Sequence, residues 1–369
     1  MTTDTKYYIW LTQALGYSSP KFMALYKLYD SMEAFYLGGE AEWRLSGVLS
    51  GKDIDALSSC DLSIAYDILS QCNRQGYTVV SMEDPAYPKR LFEIYDPPAV
   101  LYIWGRLPDF EHLLSIGMVG TRNATAYGKT AAHILAGSLA KIGVVIVSGG
   151  AVGIDSECHT GALEADGVTV AVLGCGLSHR YLMHQYPMRE AISQRGAVIS
   201  EYPPEYPASK FTFPERNRII SGLSNGIVVI EAGERSGSLI TARLAMEQNR
   251  DVFAVMGNIT SPYSQGTNRL IKDGAIPVTG YQDITDYYPQ YQVTSTEERM
   301  IAKIPKHRAD IDVSDNARKV YAVITAEPQH IDVITEKAGI PVNAVLQCMT
   351  ELELEGLISA DAGRMYKLI

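Results

Sequence analysis

"GIVVIEAGERSGSLITARLAMEQNRDVFAVMG", Gly226 to Gly257, reads in three parts. "GIVVIEAG" is a short, continuous apolar run that ends on glycine. "ERSGSLITARLAMEQN" opens with small polar residues and then places apolar residues at helical spacing. "DVFAVMG" is a second apolar run. A strand, a glycine- and serine-rich turn, a helix and another strand make a βαβ unit. Strands that are apolar along their whole length must be covered on both faces, which implies a parallel sheet.

The same alternation extends outward over residues 113 to 285. Further strands are expected at "LLSIGMVG", "VVIVSGG", "VTVAVLG" and "AVISEY". Helices are expected near 126–142, 155–166, 185–195, 215–224 and 238–249. The expected fold is an extended Rossmann-like α/β core, a doubly wound and mostly parallel sheet.

Residues 1–75 read as a helical bundle. A helix-hairpin-helix needs a Gly-x-Gly turn, and "ALGYSSPKF" offers only Gly16, so scaffolding or interaction is the expected role. A proline-rich connector follows, in which "AVLYIWG" reads as a strand. The α/β domain is expected over 76–288 and a linker over 289–313. Residues 314–369 read as three helices and a hairpin near Ala362–Gly363, a winged helix.

The formal net charge is -10, which argues against bulk electrostatic binding of nucleic acid. It leaves room for a local basic cleft, because charges beyond about 8–10 Å are screened. No apolar run approaches the ~20 residues that cross a bilayer, and the N-terminus lacks the pattern of a signal peptide. Five scattered cysteines with no C-x-x-C pair fit a reducing cytoplasm.

In such folds ligands bind beyond the carboxyl ends of the strands. After the first strand, "VGTR" places Gly120, Thr121 and Arg122. From His112 to Ile154 there is no Asp or Glu, so Arg122 lacks a sequence-local partner and anion binding is expected. After the second, Ser148, Gly149, Gly150 and Gly153 resemble a phosphate-cradling loop but match neither standard nucleotide motif. Asp155 and His159 share a helix face, and a local hydrogen bond that fixes the loop is expected. A metal site is the alternative, but no third ligand is apparent.

After the third strand, Arg180, His184 and Arg189 form either a basic rim or solvated helix surface. After the fourth comes "KFTFPERNRIISG", Lys210 to Gly222. Pro214 suits a first helical turn, so a helix is expected to start there, with Lys210, Arg216 and Arg218 beside its positive dipole end. Phe211 and Phe213 read as an extended segment that offers either an aromatic platform or core packing. After the fifth strand, Ser236, Gly237 and Ser238 either cap a helix or hold an anion. No activated nucleophile, metal cluster or convincing carboxylate pair emerges, so neither catalysis nor a metal or cofactor is expected.

At this point the ordered motifs "DPAYPKRLFEIYDPPAVLYIWG", "MVGTRNATAYG", "SGGAVGIDSECHTGAL", "KFTFPERNRIISGLS" and "SQGTNRLIKDGA" resemble the DNA-processing protein A family, DprA or Smf. The resemblance is strong over about residues 80 to 280. It implies a non-catalytic protein that binds single-stranded DNA, protects incoming strands in natural transformation and loads RecA onto them. It also implies a homodimer through the Rossmann-like core. On this resemblance Arg122, Ser148–Gly150, Lys210, Phe213, Arg216, Asn217 and Arg218 fall in the strand-binding pocket. Members often carry lysine and asparagine after "YP"; here stand Met188, Arg189 and Glu190, so Arg189 is the one basic candidate.

The tail departs from a DNA reader. "PVNAVLQCMTELELEG" has no Lys or Arg, and residues 314–369 carry five basic against eight acidic side chains. Protein contacts rather than duplex DNA are expected there. The alternative for the whole chain is a nucleotide N-glycosidase resembling the "lonely guy" phosphoribohydrolases. Their P-G-G-x-G-T-x-x-E motif is absent from "EAGERSGSLITA", and Glu231 and Asp155 are the carboxylates to test.

Overall fold

The computed structural model describes residues 5–181, 183–291, 314–325, 328–354, 358–361 and 363–368. The chain divides into two compact units, Met1–Glu297 and Glu298–Ile369. Residues 292–313 of the expected linker lie outside the described residues.

The larger unit opens with five helices: α1 (Thr5–Leu15), α2 (Lys21–Leu28), α3 (Met32–Leu45), α4 (Gly51–Ser59) and α5 (Ser63–Gln75). They close around buried Trp10, Phe35 and Trp43, whose rings lie 5.7–6.2 Å apart. Next come β1 (Thr78–Ser81), the single turn α6 (Lys89–Phe92), β2 (Val100–Gly105) and β3 (Ser115–Val119). The rest alternates: α7 (Ala126–Lys141), β4 (Val145–Ser148), α8 (Ile154–Glu164), β5 (Thr169–Val172), α9 (Tyr186–Arg195), β6 (Ala197–Ser200), α10 (Thr212–Leu223), β7 (Gly226–Val229), α11 (Ser238–Glu247), β8 (Asp251–Val255), α12 (Gln265–Lys272), β9 (Ile276–Val278) and α13 (Gln282–Thr285).

One nine-stranded sheet results, in the order β1-β2-β6-β5-β4-β3-β7-β8-β9. Strands β3 to β9 are parallel, while β2 runs antiparallel to β6 and β1 to β2. Every residue of β3, β4, β5, β6 and β7 is buried, as strands covered on both faces must be. The doubly wound reading therefore holds, with two strands the sequence did not reveal. β1 lies inside the proline-rich connector, and β9 carries Pro277 on an edge, where a missing donor is tolerated. The chain progresses from β3 through β4 and β5 to β6 in one direction and from β7 to β9 in the other. The switch point is β3/β7.

Helix α10 begins at Thr212, two residues before Pro214. A proline fits there because the first N–H groups of a helix have no partner inside it. Phe213 consequently stands on the first helical turn and not on an extended segment, so it shares no face with Phe211.

The turn between α1 and α2 reaches α10 by two routes. The Tyr17 ring stands edge-on to Tyr202 and Tyr206, and the Tyr202 hydroxyl donates to Glu215 of α10 at 2.9 Å. The Ser18 hydroxyl donates to Asp96, whose carboxylate pairs with Arg218 of α10.

The smaller unit holds α14 (Asp315–Val323), β10 (Gln329–His330), α15 (Ile331–Ala338), α16 (Val342–Leu354), β11 (Ile358–Asp361) and β12 (Met365–Leu368). Its sheet order β10-β12-β11 is antiparallel throughout. Val320, Ile334, Val345, Met349, Leu352 and Ile358 form its core. This is the winged helix expected from the sequence. No helix among the described residues is long and apolar enough to cross a membrane.

Candidate nucleic-acid interface

An open cleft of roughly 330 Å³ lies at the switch point, on the carboxyl edge of the sheet. Three loops and the first two turns of α10 line it. The β3–α7 loop supplies Gly120, Thr121 and Arg122; the β4–α8 loop, Ala151, with Asp155 from the first turn of α8; the β7–α11 loop, Ser236 and Gly237, with Ser238 from the start of α11. From α10 come Phe213, Pro214, Arg216 and Asn217.

The β3–α7 loop is pinned from both sides. Thr121 N–H donates to Glu231 O at 2.8 Å, and Ile154 N–H donates to Thr121 O at 3.2 Å. Gly120 is required because a Cβ there would stand 2.5 Å from the Ile154 side chain. Thr125 caps α7, its hydroxyl accepting from Gly128 N–H. The buried Glu231 carboxylate accepts from Thr125 N–H (2.8 Å) and from its hydroxyl (2.6 Å). Both its oxygens are thus engaged in holding the end of β7 to the start of α7.

Three arginines of similar appearance in sequence have three different settings. Arg122 is exposed, with its guanidinium 4.8 Å from the centre of the Phe213 ring, and it makes no ion pair among the described residues. Arg216 is buried, donating to Gly149 O and Val172 O while its Nε has no partner. Burial lowers its pKa, and neighbouring Asp155 opposes that. Arg218 points away from the cleft. It donates to both Glu201 oxygens at 2.7 Å and to the Asp96 backbone carbonyl at 3.0 Å, its Nε lies 2.9 Å from the Asp96 carboxylate, and only 4% of its side chain is exposed. Burial alone would lower its pKa, but Glu201 and Asp96 together raise it. Arg218 is therefore an internal ion pair and not a cation offered to a ligand.

Arg189 also leaves the candidate rim. It is 2% exposed and donates to Tyr181 O at 3.0 Å. Arg180 and His184 are exposed.

Ser148, Gly149, Gly150 and Gly153 lie outside the lining of the cleft, to which their loop contributes Ala151. Ser148 is buried and its hydroxyl donates to Met118 O at 2.6 Å. Gly149 and Gly150 are buried as well. A Cβ on Gly149 would meet Asp155 and Arg216 at 2.5–2.6 Å, so this glycine lets those two side chains approach. Gly153 has φ +87°, and a Cβ there would press on the Thr121 and Arg122 carbonyls. The loop thus buttresses the "VGTR" turn.

The expected Asp155–His159 bond is absent. His159 Nδ1 instead pairs with the Thr169 hydroxyl at 2.7 Å, and burial followed by Arg216 pushes its pKa down to about 3. Asp155 accepts from Ala151 N–H at 3.3 Å; burial raises its pKa and Arg216 moderates the shift. Ser236 and Ser238 hydroxyls lie 2.8 Å apart, and Ser238 N–H points at Ser236 Oγ at 3.4 Å. The first N–H groups of α11 are spent in this turn: besides Ser238, Leu239 N–H donates to Ser236 O and Ile240 N–H to Gly237 O, both at 3.1 Å, with Gly237 exposed beside them.

Lys210 and Phe211 are both exposed just before α10. Sequence reasoning missed Tyr181, whose ring packs 5.3 Å from Phe213, and the network of Asp96, Glu201 and Glu215 behind α10. Among the described residues no three His, Cys, Asp or Glu side chains converge to hold a metal.

Comparison with known proteins gives this geometry its context. The family model described as "DNA recombination-mediator protein A" matches residues 76–289, and one for the "DprA winged helix domain" matches residues 304–364. The chain is 41% identical over 230 residues to the DNA processing protein DprA of Bacillus subtilis (strain 168), spanning 62% of this chain and 77% of that protein. It is 38% identical over 296 residues to the protein Smf of Escherichia coli (strain K12), spanning 79% of this chain and 78% of that protein. The X-ray structure of DprA from Streptococcus pneumoniae superposes with a TM-score of 0.61 at 33% identity, covering 78% of this chain and 98% of that one. A structure from Helicobacter pylori, concerned with the single-stranded DNA binding mode of its DNA processing protein A, matches with a TM-score of 0.52 at 31% identity and covers 58% of this chain and 96% of that one. Fold, ordered motifs and these similarities together establish that the chain belongs to the DNA recombination-mediator protein A (DprA/Smf) family.

Proposed function

We propose that this chain is a non-catalytic single-stranded DNA-binding protein and that the strand lies in the switch-point cleft. The observation that carries this reading is Arg122, an exposed guanidinium with no ion-pair partner among the described residues, held on the Phe213 ring at the cleft mouth. Buried Arg216 and the start of α10 add positive potential behind it. The single-stranded DNA binding of the H. pylori protein supports the same reading.

On this reading residues 76–288 are the DNA-binding domain, residues 1–75 its helical partner domain, and the winged helix at 314–369 contacts protein. The protein works in the cytoplasm, protects incoming strands in natural transformation and loads RecA onto them. It acts as a homodimer through the α/β core, where exposed Tyr127, Ile134 and Met256 offer apolar surface.

The test is salt-dependent binding of single- and double-stranded oligonucleotides to wild type and to the Arg122→Ala/Lys210→Ala double variant. For single strands log K falls with log salt by about 0.7 per phosphate contact. Wild type should prefer single strands, and the double variant should lose up to about 1.4 from that slope. Unchanged single-strand binding by the double variant overturns the assignment.

A further inference from the structure

The stretch "ALGYSSPKF", which lacks the Gly-x-Gly turn of a helix-hairpin-helix, is put to a different use in the fold. Gly16 follows the last residue of α1 with φ +86°, a left-handed conformation that suits glycine. The next two residues, Tyr17 and Ser18, meet the network that lies behind α10.

Helix α10 has two working faces. Phe213, Arg216, Asn217 and Ile220 line the cleft. Glu215 and Arg218, three positions apart, fall on the opposite side at 3.6 residues per turn, and neither lines the cleft. The Glu215 carboxylate accepts from the Tyr202 hydroxyl at 2.9 Å. The Tyr202 and Tyr206 rings are stacked, 4.8 Å apart and inclined by 12°. Tyr17 stands edge-on to both, at 5.0 and 4.8 Å, and its hydroxyl accepts from Gln13 in the last turn of α1 at 3.0 Å. The second contact is polar: the Ser18 hydroxyl donates to Asp96 at 3.1 Å, and the Asp96 carboxylate lies 2.9 Å from Arg218 Nε. Edge-on ring pairs gain from their quadrupoles beyond the area they bury, which makes the Tyr17 contact the stronger of the two.

We propose that Tyr17 and Ser18 are positioning residues for the cleft. They orient α10 from behind, and with it Arg216, Asn217 and the Phe213 ring beneath Arg122, without touching the strand. This rests on the single-strand reading above. It gives the helical bundle a part in a site whose lining lies wholly within the family-matched residues 76–289. A change in a chain of packed side chains shifts affinity at the coupled site by about 2- to 30-fold.

The test titrates labelled oligothymidylate with the full chain. Tyr17→Leu should weaken binding by about 2- to 30-fold, with the salt slope unchanged because no phosphate contact is lost. Tyr17→Phe keeps both edge-on contacts and should bind as wild type does. Ser18→Ala should weaken binding by less than Tyr17→Leu. Ile54→Val alters the buried core of α4 and none of these contacts, and it should leave affinity unchanged. Tyr17→Leu combined with Glu215→Gln should cost less than the product of the two separate effects, because both break one route. The proposal is overturned if Tyr17→Leu binds as wild type does, if it changes the salt slope, if Ile54→Val weakens binding as much, or if the combined effects simply multiply. A failed Arg122/Lys210 test removes the single-strand reading itself. Wild-type binding by Tyr17→Leu, with that test passed, removes only the positioning role.

Discussion

Glu201→Gln probes the ion pair that holds α10 in place. Arg218 and Glu201 are 4% and 1% exposed and share two 2.7 Å bonds. Gln keeps the shape and removes the charge, leaving a buried guanidinium short of its main partner. Breaking a buried pair from one side costs about 3–5 kcal/mol. Asp96 remains at 2.9 Å and is itself 25% exposed, so part of the Arg218 charge stays compensated. The lower bound, about 3 kcal/mol, is therefore expected. For a unit of this size each kcal/mol moves the midpoint by about 2–4 °C, giving a fall of about 6–12 °C. The assay is thermal unfolding of the full chain, followed by circular dichroism, with Arg218→Met and the Arg218→Met/Glu201→Leu double variant measured alongside. The double variant should be more stable than either single change, because an apolar pair leaves no fully buried charge unpaired and Asp96, 25% exposed, keeps its access to water. A loss below about 1 kcal/mol for Glu201→Gln, the value of a surface pair, refutes the reasoning.

Two further outcomes follow from the cleft floor. Asp155→Asn should tighten single-strand binding: at an effective dielectric of ~20, a like charge within ~10 Å costs an anion about 1–2 kcal/mol, or about ten-fold in affinity; unchanged or weaker binding in an equilibrium titration would count against an anion site above Asp155. His159 has its pKa depressed to about 3 in the folded chain against 6.5 unfolded. Below pH 6.5 the unfolded chain takes up a proton that the folded chain refuses, so this stability is present above 6.5 and is lost as pH falls toward 3. The loss is about 1.4 kcal/mol per pH unit, and urea unfolding of His159→Asn between pH 7 and 5 should show a pH dependence smaller by about one proton.

The fold was legible because its strands are buried on both faces, which leaves continuous apolar runs such as "GIVVI" in the sequence. β1 and β9 escaped because they are short and bordered or interrupted by proline. The candidate site was half legible. Arg122, Arg216 and Arg218 look alike in sequence, and what separates them is distant in the chain. The partners of Arg218 are Glu201 and Asp96, 17 and 122 positions away, and those of Arg216 are backbone carbonyls of β5 and of the loop after β4. Carbonyl acceptors leave no sequence signal. The same holds for Ser148, whose hydroxyl serves Met118 O, and for His159, which pairs with Thr169 across the sheet layer and not with Asp155 one turn away.

The two routes from the α1–α2 turn to α10 bear on where the chain can be cut. The family match begins at residue 76, which suggests a tidy fragment. Cutting there would strip Tyr17 from Tyr202 and Tyr206, uncovering a tyrosine that is 1% exposed in the intact chain, and would take Ser18 from Asp96. The boundary of the family match is thus not a mechanical boundary. A fragment starting at residue 76 would carry every residue of the cleft yet lack the brace that sets the pitch of its central helix.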